Sequence, residues 1–155
     1  MKCVISNILL ASLILSQSCS KTDLGPGNNV YFEGEYYYHK RDNIGERKMD
    51  LRITGMSNNR VNLKLTGFPG PFYKDSTMNL DDIELNFVNV EVNNEFVFEF
   101  EQTQNAYNKG KIIYNAWFKV NAIKAGKDIT LNIDIERKDI PGLRINYNYP
   151  FVKKI

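Results

Sequence analysis

His39 is the only histidine in this chain of 155 residues, and it stands beside Lys40, Arg41 and Asp42. An imidazole there would act as a general base only against a positioned nucleophile, and the sequence nominates none. The plainer reading is a solvated histidine at the end of a strand. Asp81 and Asp82 offer paired carboxylates, but neighbouring residues of a strand point to opposite faces, so a turn or strand-start role fits them better. No glycine-rich phosphate loop and no metal-ligand spacing is present. The expectation is a protein that is not an enzyme and needs no cofactor or metal.

The residue with the clearest covalent chemistry is Cys19. Lys2 opens the chain, and Val4 to Leu15 is apolar except for Ser6, Asn7 and Ser12. That run is about 12 residues, where a membrane-spanning helix needs roughly 20, and it suits a secretory signal. Ser16-Gln17-Ser18-Cys19 follows and resembles a bacterial lipobox, with Ser16 where leucine is usual. The resemblance implies that residues 1–18 are a lipoprotein signal peptide and that Cys19 becomes an acylated N-terminus. Membrane lipid is then its first partner. Ordinary signal cleavage at the same bond is the alternative. Cys3 is the only other cysteine, so the mature chain can form neither an internal disulfide nor a thiolate metal site.

Residues 19–29 read as a flexible tether, rich in Ser, Gly, Pro and Asn and without apolar periodicity. Ser20-Lys21-Thr22-Asp23 is similar to the short acidic export signals of surface lipoproteins in Bacteroidota. The implied location is the outer membrane, facing the periplasm or the cell surface. Without the signal the net charge is about +1, which leaves no electrostatic footprint for nucleic acid.

Residues 30–155 must supply the scaffold, and their apolar period is two almost throughout. Leu51 and Ile53 alternate with Asp50 and Arg52; Val61, Leu63 and Leu65 with Asn62 and Lys64; Ile129, Leu131, Ile133 and Ile135 with Thr130, Asn132 and Asp134. Ser57-Asn58-Asn59, Asn93-Asn94, Ala125-Gly126 and Pro141-Gly142 lie between such runs and suit tight hairpins. The reading is all-β, with about eight antiparallel strands in meander order starting near Val30, Glu46, Asn59, Asn79, Glu95, Gly110, Asp128 and Leu143. They form a barrel or a strongly coiled sandwich. In "DDIELNFVNVEV" the inward parity passes from Ile83, Leu85 and Phe87 to Val88, Val90 and Val92, which predicts a bulge near Phe87.

Gly34-Glu35-Tyr36 in the first strand, ahead of about seven further strands and behind a lipoprotein signal, resembles the calycin-like (lipocalin-like) domains of small Bacteroidota lipoproteins. The resemblance implies an eight-stranded barrel and a binding role, and it transfers no catalytic residue.

On this register the inward face includes Val30, Phe32, Phe96, Phe98, Phe100 and Ile112 and carries no charge. It includes five tyrosines: Tyr36, Tyr38, Tyr114, Tyr147 and Tyr149. They either rim a cavity for a small apolar or amphipathic ligand or sit near the barrel ends with hydroxyls in water. The segment from Lys111 to Ile123 is apolar on both faces, so the face with Ile113, Trp117 and Ile123 needs a cover: the N-terminal segment, a long loop or a partner such as an envelope protein. The loop Gly67 to Thr77 brings Phe68, Phe72 and Tyr73, either as a contact patch for a partner or glycan or as a plug over one barrel end. Asp75-Ser76-Thr77 is similar to the three-residue O-glycosylation signal of Bacteroidota, which implies Ser76 as acceptor.

Overall fold

A computed structural model describes residues 27–42, 45–68 and 83–155. Cys19, Phe72, Tyr73, Ser76, Asp81 and Asp82 lie outside the described residues. Eight strands follow one another in chain order: β1 (Gly34–Asp42), β2 (Gly45–Met56), β3 (Arg60–Thr66), β4 (Ile83–Glu91), β5 (Val97–Asn108), β6 (Lys111–Ala125), β7 (Asp128–Arg137) and β8 (Arg144–Lys153). Every pairing is antiparallel between neighbours, and β8 returns to β1 to close a barrel.

The hairpins form where the sequence accepts a left-handed backbone. Asn58 and Asn59 have φ of 61° and 55°, and Gly126 and Gly142 are also positive. Asn93-Asn94 turns by other means: the Asn94 side-chain oxygen accepts the Phe96 N–H at 2.7 Å. The expected bulge sits in β4, where Leu63 faces Phe87 but Val61 faces Val90. Asn89 takes the strained position at φ 60°, and its N–H is received by the Asn62 side chain at 2.8 Å. One extra residue thus turns Val88 outward and Val90 and Val92 inward.

Besides Val88, expected inward but 57% exposed, three expected inward residues face elsewhere. Val30 begins no strand: Asn28–Tyr31 is a 3-10 turn, tied down by Asn29 Nδ2 donating to the Met56 carbonyl at 2.7 Å. Val30 is therefore 42% exposed. Phe96 precedes the β5 ladder; its N–H is taken by Asn94, its carbonyl by the Lys124 N–H at 2.7 Å, and its ring stands 61% exposed. Ile112 is turned out, also 61% exposed, by a register shift that sets Tyr107 against Ile112 but Ala106 against Tyr114.

The rest of the inward face forms one core. Phe32, Phe87, Phe98 and Phe118 are buried in it. Phe32 meets Phe98 edge-on with ring centroids 4.7 Å apart, and Phe87 meets Phe118 at 5.5 Å. Two seams carry little ladder among the described residues. β1 and β8 pair at Tyr36↔Lys153 and Tyr37↔Val152, and β4 and β5 at Ile83↔Asn108 and Glu84↔Tyr107. Beyond its two pairs, the β4–β5 seam is spanned from inside by Phe87 against Phe100, 5.1 Å between centroids.

The up-and-down order gives the barrel two unlike ends. One, the cap end, gathers the 3-10 turn and the β2–β3, β4–β5 and β6–β7 connections. The other, the tyrosine end, gathers the β1–β2, β5–β6 and β7–β8 connections and the segment leaving β3 at Gly67.

Candidate functional site

The cap end is filled. Phe32 lies under the 3-10 turn against Phe98, and the buried Tyr36 hydroxyl donates to the Phe32 carbonyl at 2.8 Å. Burial, helped by the Asp128 charge, pushes the Tyr36 phenol up to about 12. Its hydroxyl is thus a structural clasp, and Tyr36 is not part of the group formed by Tyr38, Tyr147 and Tyr149.

At the opposite end the inward alternation of β1, β2 and β8 sends Tyr38, Met49, Tyr147 and Tyr149 into the interior, with Tyr38 and Tyr147 only partly buried. Tyr147 and Tyr149 stack nearly parallel at 5.6 Å, and Tyr38 meets Tyr149 edge-on at 5.2 Å. Phe68 completes the cluster. It is fully buried, 5.3 Å from the Tyr147 ring and 6.1 Å from that of Tyr149. Phe68 therefore belongs to the barrel interior and offers no surface to a partner.

Phe68 reaches that place because Gly67 bends the chain at φ +74°, with a Cβ there lying 2.3 Å from the Lys48 carbonyl oxygen. No other residue type combines that φ with that approach.

The polar side of this end comes from β5, β6 and β7. Gln102 and Gln104 share the inward parity of Phe98, Phe100 and Ala106, and they face Phe118 and Ala116 across the ladder. Arg137 continues the run Ile129, Leu131, Ile133, Ile135 and is only 8% exposed. The interior is thus not free of charge, contrary to the expectation from sequence. Burying a guanidinium requires a partner and hydrogen bonds. Asp139 supplies both: it accepts from Arg137 Nε at 2.9 Å and from Nη2. The same bonds hold the Asp139 carboxyl below its usual range. The guanidinium also lies over the Tyr114 ring, 5.0 Å from its centroid. Arg137 was readable as the next inward position of the β7 alternation, two residues past Ile135.

Two polar atoms in this interior have no hydrogen-bond partner among the described residues: the Tyr149 hydroxyl and Gln104 Nε2. Such atoms normally cost about 1–3 kcal/mol each when left unpaired. Burial raises the Tyr149 and Tyr147 phenols, and the Arg47 charge works against that rise in both. Both phenols are therefore neutral at physiological pH, able to donate as well as accept. Together these groups present an aromatic wall, two amides, two arginines and a free donor. Aromatic rings and hydrogen-bond donors thus share this end of the barrel.

Other predicted positions stand apart. Trp117 is half-buried on the outside of β6, where the Arg144 guanidinium lies 5.4 Å from its ring, so part of that second face is covered within the chain; Ile123 remains exposed. His39 sits outside β1, 2.6 Å from Glu46 and exposed. Among the described residues there is no group of three or more His, Cys, Asp or Glu side chains able to hold a metal. An outer groove of about 440 Å³ runs along the β4–β5 seam, lined by Glu84, Asn86, Tyr107, Lys109 and Gly110. No protein-family model, curated protein or solved structure matches the chain.

Proposed function

We propose that this chain is a lipid-anchored cell-envelope protein of the outer membrane whose barrel binds one small amphipathic molecule at its tyrosine end, without catalysis. The observation that carries the reading is the unpartnered Tyr149 hydroxyl inside a ring of aromatic side chains. A buried donor without an acceptor is a standing cost, and a ligand oxygen would remove it. The apolar part of the ligand would lie against Tyr38 and Tyr147, the partly buried rings of the cluster. The Arg47 charge, which acts on both Tyr147 and Tyr149, favours a ligand head with partial or full negative charge.

The anchoring half of the proposal rests on Ser16-Gln17-Ser18-Cys19. Metabolic labelling with an alkyne fatty acid tests it: wild type should be tagged and Cys19→Ala should not. Equal tagging of both would end it. For the binding half, the protein purified in mild detergent is extracted with organic solvent, and the extract is compared with that of Tyr149→Phe. An amphipathic compound enriched in the wild-type extract supports the reading, and identical extracts oppose it.

A second reading is an interaction lipoprotein with a filled barrel that meets an envelope protein through its outer surface. The packed Phe32 and Phe98 of the cap end favour it, since they leave that part of the interior to side chains. An extract without any bound compound, together with capture of a single envelope protein by the anchored chain, would decide for it.

A further inference from the structure

The cap end carries exposed apolar side chains on a part of the molecule where a solvated barrel has no use for them. Phe96 stands largely in solvent, and Val30, Tyr31, Val97 and Ile123 are each exposed over 36–43% of their surface. They form one patch. Val97 and Ile123 face each other across β5 and β6. The Lys124 N–H donates to the Phe96 carbonyl, and its ammonium donates to the Tyr31 carbonyl and lies 5.6 Å from the Tyr31 ring centroid. Tyr31, Phe96 and Lys124 line a common groove of about 180 Å³, with Glu95 on its edge. Lys127 stands exposed in the adjoining hairpin.

The chain enters the barrel at this same end. Gly27 precedes the 3-10 turn, and the Asn28 N–H is fixed on the Asn59 side chain at 3.0 Å. Eight residue steps separate Cys19 from Gly27. Even fully extended they span only about 26–29 Å. If Cys19 is acylated, the cap end is therefore the part of the barrel that cannot move far from the headgroups. Aromatic, aliphatic and lysine side chains exposed together are the composition that settles at a bilayer interface.

We propose that the patch formed by Val30, Tyr31, Phe96, Val97, Ile123 and Lys124 docks the barrel, cap end down, on the lipid surface that holds its anchor. This rests on the anchored reading above. The tyrosine end then points away from the membrane, toward the aqueous side.

The test uses the mature full chain in vesicles of phosphatidylethanolamine and phosphatidylglycerol. A single cysteine carrying an environment-sensitive fluorophore is placed at Phe96→Cys or at Ile112→Cys, an equally exposed position at the opposite end. Docking predicts a blue shift and loss of access to an aqueous quencher at position 96, with neither change at 112. No change at 96, or the same change at both positions, would overturn it. Protection of 96 before vesicles are added would also overturn it, by pointing to a second protein chain on the patch. The intact mass reports acylation separately. If the chain carries no acyl group, both variants are remade with Cys19→Ala and an N-terminal hexahistidine, labelled, and held on nickel-chelating lipid, and the probes decide on the patch alone. Circular dichroism of both variants guards against misfolding. Should Phe96→Cys misfold, Val30→Cys replaces it with the same expected outcome.

Discussion

The same chemical change, tyrosine to phenylalanine, should have opposite effects at two positions of this interior. Tyr149 is 4% exposed, and its hydroxyl has no partner among the described residues. Removing that oxygen keeps the ring and its contacts with Tyr38, Tyr147 and Phe68. Relief of an unpaired buried hydroxyl is worth about 1–2 kcal/mol. Tyr149→Phe should therefore stabilise the ligand-free protein by that amount. Tyr36→Phe removes the hydrogen bond to the Phe32 carbonyl and leaves that acceptor in the core, so it should cost about 1–2 kcal/mol. For a domain of this size 1 kcal/mol moves the melting midpoint by roughly 4 °C, so the two variants should separate by several degrees. Urea titration with unchanged slope would confirm that both changes act on stability alone. If a ligand oxygen normally meets Tyr149, the loaded Tyr149→Phe protein loses the advantage, and affinity drops roughly 5- to 30-fold. Equal destabilisation by both substitutions in the ligand-free protein would refute the reasoning, because Tyr149 would then have a partner of its own.

Other outcomes follow from the same geometry. Phe68→Ala should cost about 3–5 kcal/mol, read as a fall in urea midpoint, because the ring is buried between Tyr147 and Tyr149; a change below 1 kcal/mol would remove it from the core. Gly67→Ala should destabilise by at least about 1–3 kcal/mol, since the position combines φ +74° with a carbonyl 2.3 Å from any Cβ; a neutral melt would contradict that. Alkaline pH should weaken the fold. The folded Tyr36 phenol is raised from 10.0 to about 12, so between those values the native state holds a proton that the unfolded chain releases. Stability contributed by this group is complete below pH 10 and lost as pH rises through 12; its full loss is about 2–3 kcal/mol. Tyr36→Phe should flatten that part of the stability–pH curve, and an unchanged slope would count against the clasp.

The strands could be read because alternation is a local signal: β2, β3, β7 and β8 keep one parity from end to end, and even the β4 bulge shows as a switch from Phe87 to Val90. The errors came where a single residue or turn resets the parity. Asn29 and the 3-10 turn release Val30, Asn94 turns Phe96 out, and the shift at Ala106/Tyr107 does the same to Ile112. Arg137 breaks the usual rule that arginine lies outside, although the β7 pattern points it inward. The inward tyrosines were readable singly. Their grouping was not, since Phe68 at the exit of β3 meets Tyr147 and Tyr149 of β8 only after β8 has closed on β1. Parity belongs to one strand, whereas adjacency across a barrel depends on closure and register of all of them.

Native mass spectrometry of the mature chain, released from its own membrane in a mild detergent, puts the central claim to the most direct test. The account predicts one small amphipathic molecule per chain, beyond the acyl groups on Cys19, with occupancy reduced in Tyr149→Phe. A chain carrying nothing but its acyl groups, or an adduct whose occupancy ignores Tyr149, would contradict it.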